Sequence, residues 1–255
     1  MRILHLFDLC GVAPTYCKQL EQLGHKSLVL TNFDSLNLKS LYPNFFRFKK
    51  ENDKMLLLRT IYYLFSFRPQ IIHVHVNNQF LKPLKWLQRI FRFSLVYQAH
   101  GSELRNKKNS IIKADLNLCT TKDIQRPGFI VLQNPVDRTI FYPGIQKKNT
   151  ALFIPKYPID QTETAVNFSS LFGFKLTILE KKMNQKSFAQ YLRSFEYFFD
   201  MKGLYPMQSK TALEALTSKV KVIDEQGIKH FPNSYNPIKS SKQLEQLYTK
   251  LVNKK

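Results

Sequence analysis

Acidic residues are scarce in this sequence: 18 Asp plus Glu stand against 39 Lys plus Arg, a formal balance of +21 over 255 residues. Such an excess favours association with something anionic, whether nucleic acid, membrane headgroups or a phosphorylated ligand. Cysteine is scarce as well. Cys10, Cys17 and Cys119 are odd in number and lack CxxC spacing, so neither a disulfide framework nor a zinc knuckle is expected, and a reducing cytoplasm suits the chain. Glycine and proline, 8 and 12 in number, follow no period, which excludes collagen-like and low-complexity chains. Long hydrophobic runs are also missing. Ile61 to Phe67 is closed by Arg68-Pro69, far short of the roughly 18 apolar residues of a spanning helix. The opening run from Met1 to Phe7 meets Asp8 too soon for a signal h-region. Any membrane contact is therefore expected to be peripheral, at the inner face of the cell membrane.

What is present is enough apolar material, 44% of residues, for one large core or two modest ones. Ile3 to Phe7 reads as a buried strand, followed by a turn at Gly11 and a helix from about Pro14 to Gly24. Apolar runs at Ser27 to Thr31, Ile71 to Val76 and Leu95 to Ala99 alternate with helical stretches at Lys54 to Phe67 and Pro83 to Arg92. Near-continuous apolar strands between helices predict a parallel sheet covered on both faces, an α/β fold. The turn-rich Gln133 to Gly144 leads into a polar run and predicts a domain boundary, giving domains 1–145 and 146–255. A second alternation follows. Strands are expected at Ala151 to Ile154, Lys175 to Leu179, Tyr197 to Phe199 and Val220 to Ile223. Helices are expected at Asp160 to Leu171, Ser187 to Arg193, Ser209 to Thr217 and Ser241 to Val252.

In open α/β sheets, ligands sit beyond the carboxyl ends of the strands. The loop after the first strand carries a lone Gly11, and Asp8 beside it reads best as a cap on the following turn. The run from His100 through Gly101, Ser102, Glu103 and Arg105 sets an imidazole and two charges at a strand end. Its histidine serves a ligand or satisfies nearby backbone carbonyls. Ser209 is a helix N-cap, and free N–H groups with Lys210 at a helix start form an anion site for a diphosphate. His73 and His75 share one side of a strand. With no third ligand spaced nearby they read as strand-end histidines lining a cleft, and no metal or other cofactor is expected.

Three segments taken in order resemble the family 4 glycosyltransferases: His100-Gly101-Ser102, Asn134-Pro135-Val136-Asp137 with Phe141 and Pro143, and Thr211 to Leu216 before Val220 to Ile223. The resemblance implies the GT-B fold, two Rossmann-like doubly wound domains facing across a cleft, with a compact carboxyl-terminal donor domain and an amino-terminal acceptor domain. It implies metal-independent transfer of a sugar from a nucleotide-sugar donor to an acceptor, with retention. Carried over, His100 faces the reacting sugar, Glu214 binds the donor ribose as the second acid of a paired-glutamate motif, and Ser209, Lys210 and Thr211 hold the diphosphate. Gly11 lies where the family's glycine pair meets the donor, and Lys156 stands where an arginine is usual. The first motif glutamate is replaced by Pro206, which keeps open a catalytically degenerate relative that binds a nucleotide or a partner.

Residues 1 to 150 carry 23 Lys plus Arg against 9 acids, and residues 151 to 255 carry 16 against 9. Lys85, Arg89 and Arg92 form one stripe of the helix after Pro83, with Leu84, Leu87 and Phe91 opposite, and Trp86, Ile90 and Phe93 beside the basic stripe. That strip meets an anionic membrane surface, which would make the acceptor a membrane-near or lipid-linked carbohydrate or lipid, or it packs on a neighbouring loop. A basic nucleic-acid-binding protein is the disfavoured alternative, because there is no zinc spacing, RNP-like aromatic strand or Gly-rich basic tail.

Overall fold

The structure, a computed structural model, describes residues 1–8, 11–32, 38–47, 53–101, 112–155, 161–181, 183–201 and 209–254. The chain divides into two compact units, Met1–Pro135 with Ile238–Lys255, and Val136–Pro237. The described helices are α1 (Val12–Gln22), α2 (Asp53–Ser66), α3 (Leu81–Phe91), α4 (Thr162–Phe172), α5 (Gln185–Leu192), α6 (Lys210–Thr217) and α7 (Lys239–Val252).

The first unit is built on seven strands: β1 (Arg2–Leu6), β2 (Lys26–Thr31), β3 (Phe45–Arg47), β4 (Ile71–His75), β5 (Ser94–Ala99), β6 (Leu116–Cys119) and β7 (Phe129–Val131). They pair in the order β3-β2-β1-β4-β5-β6-β7, every pair parallel. Every residue of β4 and β5 is buried, because helices cover both faces and the side chains alternate between them. Leu4, Leu6, Ile72, Val74, Leu95 and Tyr97 face Leu56 and Leu64 of α2 and Leu84 and Leu87 of α3. Ile3, Ile71, Val96 and Leu118 face Tyr16 and Leu20 of α1 and Leu244 and Tyr248 of α7.

The second unit carries β8 (Lys147–Phe153), β9 (Lys175–Ile178), β10 (Phe195–Asp200), β11 (Lys221–Asp224) and β12 (Lys229–His230). Their order is β12-β11-β10-β8-β9, parallel except for β12 against β11. Both sheets are thus doubly wound, as the alternation predicts. The compact units do not follow the division at 145/146. The break falls after Pro135, and α7 returns to the first unit because its buried stripe, Leu244 and Tyr248, fills the space beside α1. The strand β8 begins at Lys147, within the polar run, since its first residues extend exposed beyond the packed part of the sheet.

Tyr248 is fully buried and its hydroxyl lies 2.6 Å from Nδ1 of His73. Tyr248→Ala is expected to cost about 3–5 kcal/mol in urea-unfolding free energy through the cavity it leaves. Tyr248→Phe, which keeps the ring and removes only the hydrogen bond, is expected to cost about 1 kcal/mol.

Candidate active site

Two places meet the requirement for a ligand site at a strand-order reversal. In the first sheet the order reverses between β1 and β4. Both strands end abruptly there. Phe7 has φ 64° and Val76 φ 70°, a left-handed conformation that is strained for bulky and β-branched side chains. Past β5, Gly101 follows His100 with φ 138°, which only glycine adopts at little cost.

Beside this reversal, on the face covered by α1 and α7, lies a row of imidazoles. The β1–β4 register sets His5 opposite His73, and His75 follows on the same side. Nδ1 of His5 is 3.1 Å from Nε2 of His75, and Nδ1 of His75 is 3.1 Å from Nε2 of His100. Burial pushes His5 down to about 3 and holds His73 and His75 well below the ordinary histidine range, each lowered further by neighbouring histidines in the last two cases. All three are therefore neutral near pH 7. Because a neutral imidazole has one N–H and one acceptor, each ring's tautomer dictates its neighbour's, and the row couples the half-buried His100 to two rings inside the core.

His73 and His75 do not line a cleft as expected; both are fully buried. Pairing of β1 with β4 adds His5 as a third imidazole, which spacing along the chain could not show. One nitrogen from each of His5, His73 and His75 lies within 4.8 Å of the others, a cluster with metal-ligand geometry. Nε2 of His5 and Nε2 of His73 have no hydrogen-bond partner among the described residues. The group contains no carboxylate, so a divalent ion would carry uncompensated charge into a dry core. Asp8 does act as the cap: its carboxylate accepts from Gly11 N–H and Ala13 N–H, both at 2.9 Å. The N–H of Gly11 is thereby committed to the chain's own acid. Cys17 and Cys119 are buried thiols pushed up to about 12 and about 11 by desolvation, which leaves them protonated and unreactive.

In the second sheet the order reverses between β8 and β10, and α6 is the helix that follows β10. Ser209 caps it, its Oγ accepting from Ala212 N–H at 3.0 Å. One turn on, Lys210 Nζ lies 3.6 Å from Glu214 Oε1, with both side chains largely buried, and Thr211 is half-buried between them in sequence. Sequence reasoning missed Asp200, which ends β10 buried, its Oδ2 without a hydrogen-bond partner among the described residues. Its signal was the acid closing an aromatic strand. Asp224 at the end of β11 is structural, accepting from Gln226 N–H, Ile228 N–H and Nε2 of His230. Ser102, Glu103, Arg105, Lys156 and Pro206 lie outside the described residues.

On α3, Lys85, Trp86, Arg89 and Ile90 are exposed, as is Arg92 at its end, while Leu84 and Leu87 are core. Phe93 does not belong to the outer strip; it is fully buried because it opens toward β5 rather than continuing the helix.

The two doubly wound α/β units share the GT-B-like fold of several known structures. The Anabaena HepE protein, crystallised with UDP-glucose, matches at 12% identity and TM-score 0.56, over 88% of this chain and 80% of its own. The UDP-GlcNAc 2-epimerase of Neisseria meningitidis, bound to UDP-GlcNAc, matches at 12% identity and TM-score 0.56, over 98% of this chain and 100% of its own. A glycosyltransferase of Rickettsia africae matches at 11% identity and TM-score 0.50, over 88% and 78%. Identities this low establish the fold alone. No family model and no curated protein sequence matches the chain.

The neutral histidines generate a pH prediction. Unfolding exposes His5, His73 and His75 to water, where they take up protons below about pH 6.5, whereas the folded state binds none until well below that. Stability is therefore expected to be full above pH 6.5 and to fall as pH drops toward 3, each histidine adding a slope of about 1.4 kcal/mol per pH unit. Around this row stand Tyr16, Tyr248 and His100, of which the tyrosines stay protonated throughout the window. Urea unfolding between pH 4 and 7 measures the slope, and His5→Phe is expected to flatten it by one proton's worth.

Proposed function

We propose that this protein is a retaining, metal-independent glycosyltransferase of the family 4 kind, which moves a sugar from a nucleotide-sugar donor to a membrane-near or lipid-linked acceptor. The observation that carries the proposal is the start of α6. A capped helix terminus, a lysine and a buried acid follow the strand at which the second sheet reverses. The leaving nucleoside diphosphate gains negative charge as the glycosidic bond breaks, and Lys210 with the helix-start N–H groups ahead of Ala212, whose own N–H is taken by Ser209, would meet that charge without a divalent cation. Glu214, which holds Lys210, is also the acid that the resemblance assigns to the donor ribose. His100, with its tautomer set by His75, would face the reacting sugar, and the half-buried Thr211 would complete the diphosphate contacts. HepE's UDP-glucose and the Neisseria enzyme's UDP-GlcNAc support a nucleotide sugar as the ligand class.

Epimerisation of a nucleotide sugar is a second reading, favoured by the full-length match to the Neisseria 2-epimerase. Release of nucleoside diphosphate that requires an acceptor supports transfer; interconversion of nucleotide sugars without an acceptor supports epimerisation. Binding without turnover would leave the degenerate relative standing. A thermal-shift screen of nucleoside diphosphates and their sugars is expected to raise the unfolding midpoint of the wild-type chain. Lys210→Ala is expected to weaken that shift and to lower turnover about 100- to 1,000-fold, as loss of one charge-stabilising donor does. No shift with any nucleotide would overturn the proposal.

A further inference from the structure

The outer faces of α2 and α3 carry more apolar surface than an ordinary solvated helix pair. Met55, Leu58, Tyr62 and Phe65 recur at intervals of three and four residues, so they share one face of α2, opposite the buried Leu56, Thr60 and Leu64. Leu58, Tyr62 and Phe65, together with Trp86 and Ile90 of α3, are exposed by 57 to 65%. The Phe65 ring meets Phe91 edge-on at 4.9 Å, which joins the two helices. Around these side chains positive charge predominates, although α2 opens with Asp53 and the exposed Asp115 accepts from Gln88 Nε2 of α3 at 2.6 Å. From Asp53 to Arg92 the chain holds seven Lys or Arg, all exposed, against that one acid.

We propose that the joined outer faces of α2 and α3 dock the protein on an anionic lipid surface. Trp86, Tyr62 and Phe65 enter the headgroup boundary, and Lys54, Arg59, Lys82, Lys85, Arg89 and Arg92 contact headgroup phosphates around them. This rests on the peripheral-membrane part of the reading above and is independent of sugar transfer. Exposed aromatic and aliphatic groups flanked by lysine and arginine stems match the polarity gradient of that boundary. A sheet of negative headgroups is complementary to a surface on which lysine and arginine far outnumber acids, whereas a second copy docked on the same face would set like charges together. Neither helix, at 14 and 11 residues, is long enough to cross a bilayer, so the contact is in the plane of the surface.

Trp86 is the only tryptophan in the chain, so its fluorescence reports on this face alone. The 255-residue chain, without any sugar nucleotide, is mixed with vesicles of phosphatidylcholine alone or with added phosphatidylglycerol. Expected results are a blue shift and quenching by brominated acyl chains only with the anionic vesicles, and loss of sedimentation with them at high salt. Lys85→Glu with Arg89→Glu is expected to reduce vesicle partitioning about tenfold or more. Leu58→Gln with Tyr62→Gln is expected to weaken binding while leaving the salt dependence in place. Both pairs are exposed, and an unchanged thermal midpoint confirms that they fold. Equal binding to neutral vesicles, indifference to the charge reversals, or a Trp86 shift that follows protein concentration without lipid would overturn the proposal, the last by making a second copy the occupant. Because no donor is present, failure here leaves the sugar-transfer reading untouched, and loss of nucleotide binding leaves this one untouched.

Discussion

The parallel pairing of β1 with β4 is the constraint on which the first unit depends. It places His5 against His73 where the strand order reverses, and the covering helices α1 and α7 then exclude water from the rings. Once dry, the imidazoles are neutral, and they find partners in one another, in Tyr248 and in His100. A polar row inside a core is tolerable only when its members bond to each other, and that same requirement limits their rotation. His100 is consequently tied to two rings deep in the sheet, and its tautomer is a property of the row.

The basic excess of the chain resolves into two kinds of surface with different physics. At the start of α6 a few fixed donors sit in a largely buried setting, where a charge counts for more than it does in water and geometry selects the ligand. Along α2 and α3 the charges are exposed and numerous, so each contributes little and the sum is sensitive to salt. Under the function proposed above, a compact diphosphate would bind the first and an extended anionic surface the second. The start of α1 belongs to neither, because Asp8 already occupies its N–H groups.

Some of this was legible in the amino-acid order. Ile71 to Val74 reads as a buried parallel strand because both of its faces are covered, and Ser209 reads as a cap because the bond it makes reaches only three residues ahead. Short elements escaped. The strand β3 has three residues and ends in Arg47, and β6 carries Asn117, so neither forms an apolar run. On α2 the period of apolar residues shows a helix but not that its Leu58, Tyr62 and Phe65 stay uncovered, since that depends on what the rest of the chain brings near.

Periodicity, caps and the sign of the charge act over a few residues, and through them the sequence alone determined two runs of alternating strands and helices, the Ser209 terminus and a basic amino-terminal half. Tertiary structure decided which distant groups meet: His5 with His75 across 70 positions, His73 with Tyr248 across 175, and the last helix with the first unit. The physical reason is range. A local bond is set by neighbours in the chain, whereas strand register and helix docking are set by how the whole core closes, which no window of sequence contains.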